Sequence, residues 1–314
     1  MTQTVPTGNP GDRKAYIVTG PTSGIGRCAA LELARHGAIV VVGRDRGRLD
    51  AMRQAIVQMG QHAVSVICDL SDLASVGRAA EEIIDLHLLI AGLLNNAGIT
   101  QRRPTKNAPG WDMTFATNHL GPFALTEALA PHLPDGANVV FVASAVEDPE
   151  RRPARMAGFR GGRYLSAEAS ARGEWKPGGS RMPGADAYAT SKQCTLATAL
   201  ALARETPRLR FNAVEPGVTP ATGLMRDANA FVRFLAKAVI PPLVPLLMPF
   251  IKILNTPERA GRVLAEIMID PSGQTGVYYD KGGRPMLGSA LAQDPEFQDR
   301  VVAETRALLA TIPK

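Results

Sequence analysis

Thr19-Gly20-Pro21-Thr22-Ser23-Gly24-Ile25-Gly26 follows directly on the apolar run that begins at Ala15 and leads into a helical pattern reaching His36. A short apolar run, a glycine-rich turn and a helix bring backbone N–H groups up to a pyrophosphate. Gly20 permits the tight turn, and Gly24 and Gly26 let backbone and helix approach the ligand. Arg27-Cys28 stands where a phosphate-loop nucleotidase needs its Lys-Ser/Thr pair, which excludes that class. Outward from the turn, the same alternation repeats. Strand patterns at 39–42, 63–68, 88–94 and 138–142 are separated by helical patterns at 46–59, 73–85 and 111–129. Strands that are apolar on both faces, with helices between them, predict parallel pairing and helices on both sides. The fold class is therefore α/β, a single-domain Rossmann-type doubly wound parallel sheet.

The rhythm breaks after Val142. Residues 145–187 hold seven glycines and no clear period, and read as a long irregular insertion. A helix at 187–205, a strand at 209–214, a proline-punctuated apolar region at 220–254, a helix opened by Thr256-Pro257, a strand at 275–279 and a helix opened by Asp294-Pro295 complete the chain. Residues 1–14 read as a flexible N-terminal segment, and 15–314 as one domain.

Of 314 residues, 45% are hydrophobic and 20% charged, which excludes a disordered tail protein, a collagen-like chain and a coiled coil. The net charge of +6 suits an anionic ligand such as a phosphate, or simply a solvated basic surface. Without a zinc-finger spacing or a basic segment with interleaved aromatics, no nucleic-acid partner is expected. Cys28, Cys68 and Cys194 are too scattered for a disulfide framework or a zinc site, and read as free thiols in a reducing, cytoplasmic compartment. The five histidines lack paired-ligand spacing, so no metal is expected. The first fourteen residues lack the apolar core of a secretory signal. The apolar run at 238–251 is shorter than the roughly 20 residues of a bilayer span and is broken by Pro241, Pro242, Pro245 and Pro249. Membrane association is not expected.

Tyr188 and Lys192 are four residues apart on a helical pattern and so project from one face. An ammonium beside a phenol favours phenolate and draws its pKa from about 10 toward working pH. That makes Tyr188 a candidate general acid for carbonyl reduction and base for alcohol oxidation. Ser144, at the end of the fifth strand, can hydrogen-bond a substrate oxygen as charge develops on it. Singly, each has a plainer reading: an amphipathic surface pair, a strand terminus.

Taken together, these residues make the chain resemble the classical short-chain dehydrogenase/reductase family. The spacing TGxxxGxG falls at Thr19 to Gly26, NNAG at Asn95-Asn96-Ala97-Gly98, the active-site Asn at Asn118, the catalytic Ser at Ser144, YxxxK at Tyr188 to Lys192, and PG at Pro216-Gly217. The resemblance implies a catalytic tetrad of Asn118, Ser144, Tyr188 and Lys192, with Lys192 also holding the nicotinamide ribose and Asn118 supporting a water-mediated relay. It further implies cofactor contacts from Gly20, Thr22, Ser23, Gly24, Ile25, Gly26, Asn96, Ala97, Gly98, Tyr188, Lys192, Pro216, Gly217 and Thr219. Asp69-Leu70, after the third strand, resembles the family's adenine-contacting pair; Asp69 equally reads as a turn residue.

Cofactor choice turns on Val42-Gly43-Arg44-Asp45. Members that prefer NAD place a carboxylate at the end of the second strand for the ribose 2′-hydroxyl. Here Gly43 holds that position and Arg44 follows, a guanidinium suited to a 2′-phosphate, so NADP(H) is expected. The competing reading has Arg44 facing solvent and Asp45 taking the ribose.

The long gap between Ser144 and Tyr188, with TNHLGPF around Asn118, resembles the retinol dehydrogenase and protochlorophyllide reductase branch, and also carbonyl reductases with an inserted segment. The 220–254 region reads either as a lid over an apolar substrate or as packing for the C-terminal extension. A small-molecule carbonyl or alcohol is the expected substrate. Reduction of an activated C=C bond by the same residues, and an NADP-binding sensor of low turnover, are the alternatives. The chain is expected to be a monomer or a homodimer.

Overall fold

In the computed structural model, residues 14–219 and 254–312 are described. Eight strands form one sheet in the order β3-β2-β1-β4-β5-β6-β7-β8. These are β1 (Lys14–Thr19), β2 (Ala38–Gly43), β3 (Ala63–Ile67), β4 (Leu89–Asn95), β5 (Asn138–Val142), β6 (Arg210–Val214), β7 (Tyr278–Tyr279) and β8 (Pro285–Met286). All neighbours pair in parallel except β8, which runs antiparallel to β7. The doubly wound reading therefore holds. The strand order reverses between β1 and β4, the topological switch point at which such sheets bind ligands outside the strands' carboxyl ends.

Alternation along each strand sends successive side chains to opposite faces. On β1, Ala15 and Ile17 face one core and Tyr16 and Val18 the other. The first core is closed by α3 (Leu73–Asp85), α5 (Gly121–Leu129) and α8 (Ala185–Glu205). The second is closed by α1 (Gly24–Leu33), α2 (Arg46–Gln58) and α9 (Pro257–Ile269). Helix starts follow short polar side chains: Asp45, Asp72 and Thr256 accept the N–H of Arg48, Ala74 and Arg259. Helices α1 and α9 pack closely because residue 261 is glycine; a Cβ there would stand 2.6 Å from the Ala29 backbone nitrogen.

Three readings of the sequence change in detail. The pattern at 111–129 is not one α-helix: α4 (Met113–Phe115) passes through a π-helical turn, Ala116–Leu120, into α5. The strand expected at 275–279 is paired only at Tyr278–Tyr279, and a turn around Gly283 returns the chain as β8. Strands of two residues carry no period to read. The 145–187 insertion contains a 3₁₀ turn at Ala145–Glu147, α6 (Arg152–Met156) and α7 (Ala167–Arg172), and α8 begins at Ala185 rather than 187. The chain ends in α10 (Ala290–Gln293) and α11 (Pro295–Ala310). Residues 1–13 and nearly all of 220–254 lie outside the described residues.

Candidate active site

The glycine-rich turn closes the carboxyl end of β1. Gly20 and Gly24 take positive φ, +66° and +55°, conformations that residues with a Cβ rarely adopt. Any side chain at Gly26 would overlap the Gly20 carbonyl and the Asn96 amide. Helix α1 therefore sits directly on the turn. The side chain of its N-cap, Ser23, makes no capping hydrogen bond, in contrast to Asp45, Asp72 and Thr256 at α2, α3 and α9. The turn thus presents a helix N-terminus behind a cradle that only glycines can form, which fits a dinucleotide pyrophosphate.

Thr19 and Asn96 stitch this turn to β4 across the switch point. Thr19 Oγ1 donates to Leu94 O at 3.3 Å and accepts the N–H of Asn96 and Ala97, each at 3.0 Å. Asn96 Nδ2 donates to the carbonyls of Thr19 at 2.9 Å and Gly20 at 3.2 Å. Thr19 was legible only as the first letter of a motif, yet it carries most of these bonds.

At the end of β2, Asp45 is committed to its own helix. Its Oδ1 accepts Arg48 N at 3.1 Å, and its Oδ2 lies 3.3 Å from Arg48 Nε. Arg44 and Arg46 are exposed beside it. Asp69 accepts both the N–H and the hydroxyl of Ser71 at Oδ1, at 2.9 and 2.7 Å, so the turn-residue reading of Asp69 describes at least that oxygen.

The four candidate catalytic residues converge at the carboxyl end of β5. Ser144 follows that strand in extended conformation, and its hydroxyl acts on the Tyr188 phenol by lowering its pKa. Lys192 Nζ donates to Val142 O at 2.6 Å and lies 5.8 Å from the centroid of the Tyr188 ring. The π-helical turn carries Asn118, whose Nδ2 donates to Ile99 O at 2.9 Å and Ser191 Oγ at 3.1 Å, while Oδ1 accepts Ile99 N at 2.8 Å. Ser191 Oγ donates in turn to Tyr188 O at 2.8 Å, so Asn118 and Tyr188 are joined through a residue that the motif leaves unspecified. A widened turn of this kind commonly marks a functional position. Gly98 closes the group; a Cβ there would touch Asn118 Oδ1 and Lys192 Nζ at 3.4 and 3.5 Å. Beyond β6, Gly217 takes φ +79° and donates its N–H to Glu215 Oε1 at 2.9 Å. Phe159, from the insertion, lies 6.3 Å from the Tyr188 ring, centroid to centroid.

The electrostatics correct one expectation. Burial raises the Tyr188 phenol to about 12, against a lowering by the Ser144 hydroxyl, and the nearby Glu215 raises it further. Burial lowers Lys192 to about 8. Lys192 does not draw the tyrosine toward neutral pH in this state, because burial disfavours the charged form of both groups. Tyr188 is a phenol at neutral pH.

The face of α8 turned away from the sheet is covered by the chain itself. Helix α11 packs along it, with Phe297 and Val301 against Cys194 and Ala197. Arg306 pins α11 to Glu127 and Glu205 at 2.9 and 2.7 Å. Helix α11 thus covers this face of α8. Cys194 is a core thiol, and His119 is buried against Thr305 Oγ1 at 3.0 Å. Among the described residues, no helix is long and apolar enough to cross a membrane. The apolar 238–251 segment lies outside them.

Comparison with known proteins agrees with this geometry. Residues 14–153 match the family model described as short chain dehydrogenase. Human retinol dehydrogenase 13 is 28% identical over 94% of this chain and 84% of its own length. Several other curated relatives match over less than half of their own length. A short chain dehydrogenase from Burkholderia cenocepacia J2315, crystallised with NADP, superposes with TM-score 0.62 over 86% of this chain and 97% of that one, at 21% identity. A Streptomyces sp. (strain C5) protein named "Putative daunorubicin C-13 ketoreductase DnrU" is 30% identical over 70% of this chain and 71% of its own. On this sheet, this glycine-rich switch point and these relatives, the chain belongs to the short-chain dehydrogenase/reductase family of nicotinamide-dependent oxidoreductases.

Proposed function

We propose that the chain is an NADP(H)-dependent carbonyl reductase, exchanging hydride between nicotinamide and the carbonyl or alcohol carbon of a small, apolar molecule in the cytoplasm. The observation that carries this reading is the convergence of Ser144, Tyr188, Lys192 and Asn118 at the carboxyl end of β5, with Lys192 held by Val142 O and Asn118 joined to Tyr188 through Ser191. The bound cofactor would supply or accept the hydride. The turn from Gly20 to Gly26 would hold its pyrophosphate, Asn96 to Gly98 and Pro216 to Thr219 would line its path, and Lys192 would hold the nicotinamide ribose. Tyr188, a phenol at neutral pH, donates a proton to the substrate oxygen as negative charge develops there. The Ser144 hydroxyl donates a hydrogen bond to the same oxygen, which is worth more in a water-poor site than in bulk.

Two observations support NADP(H) over NAD(H). Both Asp45 oxygens face Arg48, which leaves that carboxylate poorly placed to take a ribose hydroxyl. Arg44 and Arg46 stand exposed at the end of β2, where a 2′-phosphate would be read. The test is NADPH oxidation by the purified protein over aldehydes, ketones, quinones and enones, beside Tyr188→Phe. Turnover that gives alcohols and vanishes in the variant is the expected result. Saturated ketones from enones would point instead to C=C reduction, and NADPH binding without turnover of any class would refute the reductase reading.

A further inference from the structure

Three residues beyond Ser144, Glu147 is wholly buried. Its carboxylate is held from the other end of the chain: Oε1 accepts Ser289 N at 2.8 Å and Oε2 accepts Ser289 Oγ at 2.6 Å. Ser289 is also the N-cap of α10, its Oγ accepting Ala292 N at 3.2 Å. The preceding Gly288 has no room for a side chain, since a Cβ would overlap Leu196 of α8 and stand 3.0 Å from Glu147 Oε1. On the other side, Glu147 N donates to Ser144 O at 3.2 Å, closing the 3₁₀ turn that Ser144 caps, and Glu147 O accepts Gly162 N at 2.9 Å from the insertion. One residue thus joins the serine turn, the insertion and the C-terminal arm.

We propose that Glu147 is a positioning residue, whose carboxylate, tethered to Ser289, fixes the turn that aims Ser144 at Tyr188. A buried carboxylate that accepts two hydrogen bonds from one residue sets both position and orientation. Removing it leaves the Ser289 N–H and hydroxyl unpaired in the interior and frees the turn. Its ionised form accepts both bonds. When protonated it must donate to Ser289 Oγ, and that hydroxyl then needs a new acceptor. Burial raises Glu147 to about 7, with Asp148 adding to the rise and Arg151 and the two Ser289 bonds opposing it. Tyr278, on β7, is coupled electrostatically to Glu147 and also to Glu215. The tether is therefore sensitive to pH near neutrality.

The catalytic part of this inference rests on the reductase reading, so the test has an arm that does not. Hydrogen exchange of peptides covering 144–151 and 286–293 should rise together in Glu147→Gln and in Ser289→Ala. Protection unchanged in both variants would overturn the tether whether or not the protein turns over a carbonyl. With a carbonyl substrate in hand, kcat of Glu147→Gln should fall on the order of 10- to 100-fold while KM for NADPH stays within about 2-fold. The acidic limb of the wild-type kcat profile near neutral pH should also be absent from the variant. Parent-like kcat and pH profile in Glu147→Gln would overturn the positioning role. Should that variant fail to fold, Ser289→Ala, which keeps the carboxylate and loses one donor, is held to the same kcat criterion.

Discussion

Replacing Lys192 by methionine should abolish turnover without weakening the fold. Lys192 is 4% exposed, and burial alone lowers it from the ordinary 10.5 to about 8. Keeping it charged in the folded state therefore costs about 3 kcal/mol relative to the unfolded chain. The sign follows from proton binding. The folded pKa lies below the unfolded one, so between about 8 and 10.5 the unfolded chain binds more protons. The penalty is full below 8 and is relieved as the pH rises toward 10.5. Against it stands the Lys192–Val142 hydrogen bond at 2.6 Å, a charge-assisted contact worth about 1.5–3 kcal/mol. Methionine keeps most of the stem packing and carries no charge. At neutral pH, Lys192→Met should thus match the parent or exceed it by up to about 1.5 kcal/mol, and the difference should shift against the variant as pH rises past 8. Denaturant unfolding of both proteins at several pH values measures this, with NADPH turnover in parallel. A variant less stable than the parent by more than about 1 kcal/mol at neutral pH, or a difference that does not change with pH, would refute the reasoning.

Tyr188→Phe removes the proton donor alone, and should lower kcat about 10²- to 10⁴-fold with NADPH affinity unchanged in a fluorescence titration. Gly43→Asp places a carboxylate where there is room for one, since among the described residues a Cβ meets only Leu49, the nearest atom at 3.4 Å; the ratio of kcat/KM for NADPH over NADH should fall on the order of 10- to 100-fold, and an unchanged ratio would remove the β2 argument for NADP(H). Gly261→Val places branched atoms where even a Cβ lies 2.5 Å from Cys28 Cβ and 2.6 Å from Ala29 N. The overpacking, about 1–3 kcal/mol, exceeds what any gain in helix propensity returns, so the denaturation midpoint should fall with no change in KM for cofactor.

The sheet was legible because its strands are apolar on both faces and its helices amphipathic, two periods that local sequence carries directly. The candidate site could be nominated from sequence because some of its pieces keep fixed spacings, a helical i,i+4 step from Tyr188 to Lys192 and a strand end at Ser144, while Asn118 came only with the family resemblance. What stayed hidden depends on partners far apart in the chain. Nothing near Glu147 announces Ser289, 142 residues away. Nothing in the 111–129 pattern distinguishes an α-helix from one widened at Asn118, because the apolar stripe is nearly the same in both. The covering of α8 by α11 depends on Arg306 meeting Glu127 and Glu205, and on Phe297 and Val301 finding Cys194, none of which has a local signature. Asp45 is an instructive intermediate. The sequence offers it as a ribose ligand, and its bonds to Arg48 as the cap of α2 emerge only in the fold.

The role of Lys192 is where sequence and structure together reach further than either. Spacing alone puts an ammonium beside a phenol and lowers its pKa in the resting enzyme, whereas burial holds Tyr188 near 12 and leaves it protonated. The two are compatible once the moment of charge development is considered. In the proposed reduction, Tyr188 gives up its proton only as the substrate oxygen acquires charge, and the phenolate so formed is a buried anion with the Lys192 ammonium 5.8 Å from its ring centroid. Before transfer the ammonium faces a neutral ring; after it, an anion. Lys192 therefore favours the reacting state over the resting one, which is the condition for accelerating a step rather than merely binding. A resting phenolate would be a poor acid for the same reaction. The burial that opposes a resting phenolate–ammonium pair is what keeps the proton in place until it is needed.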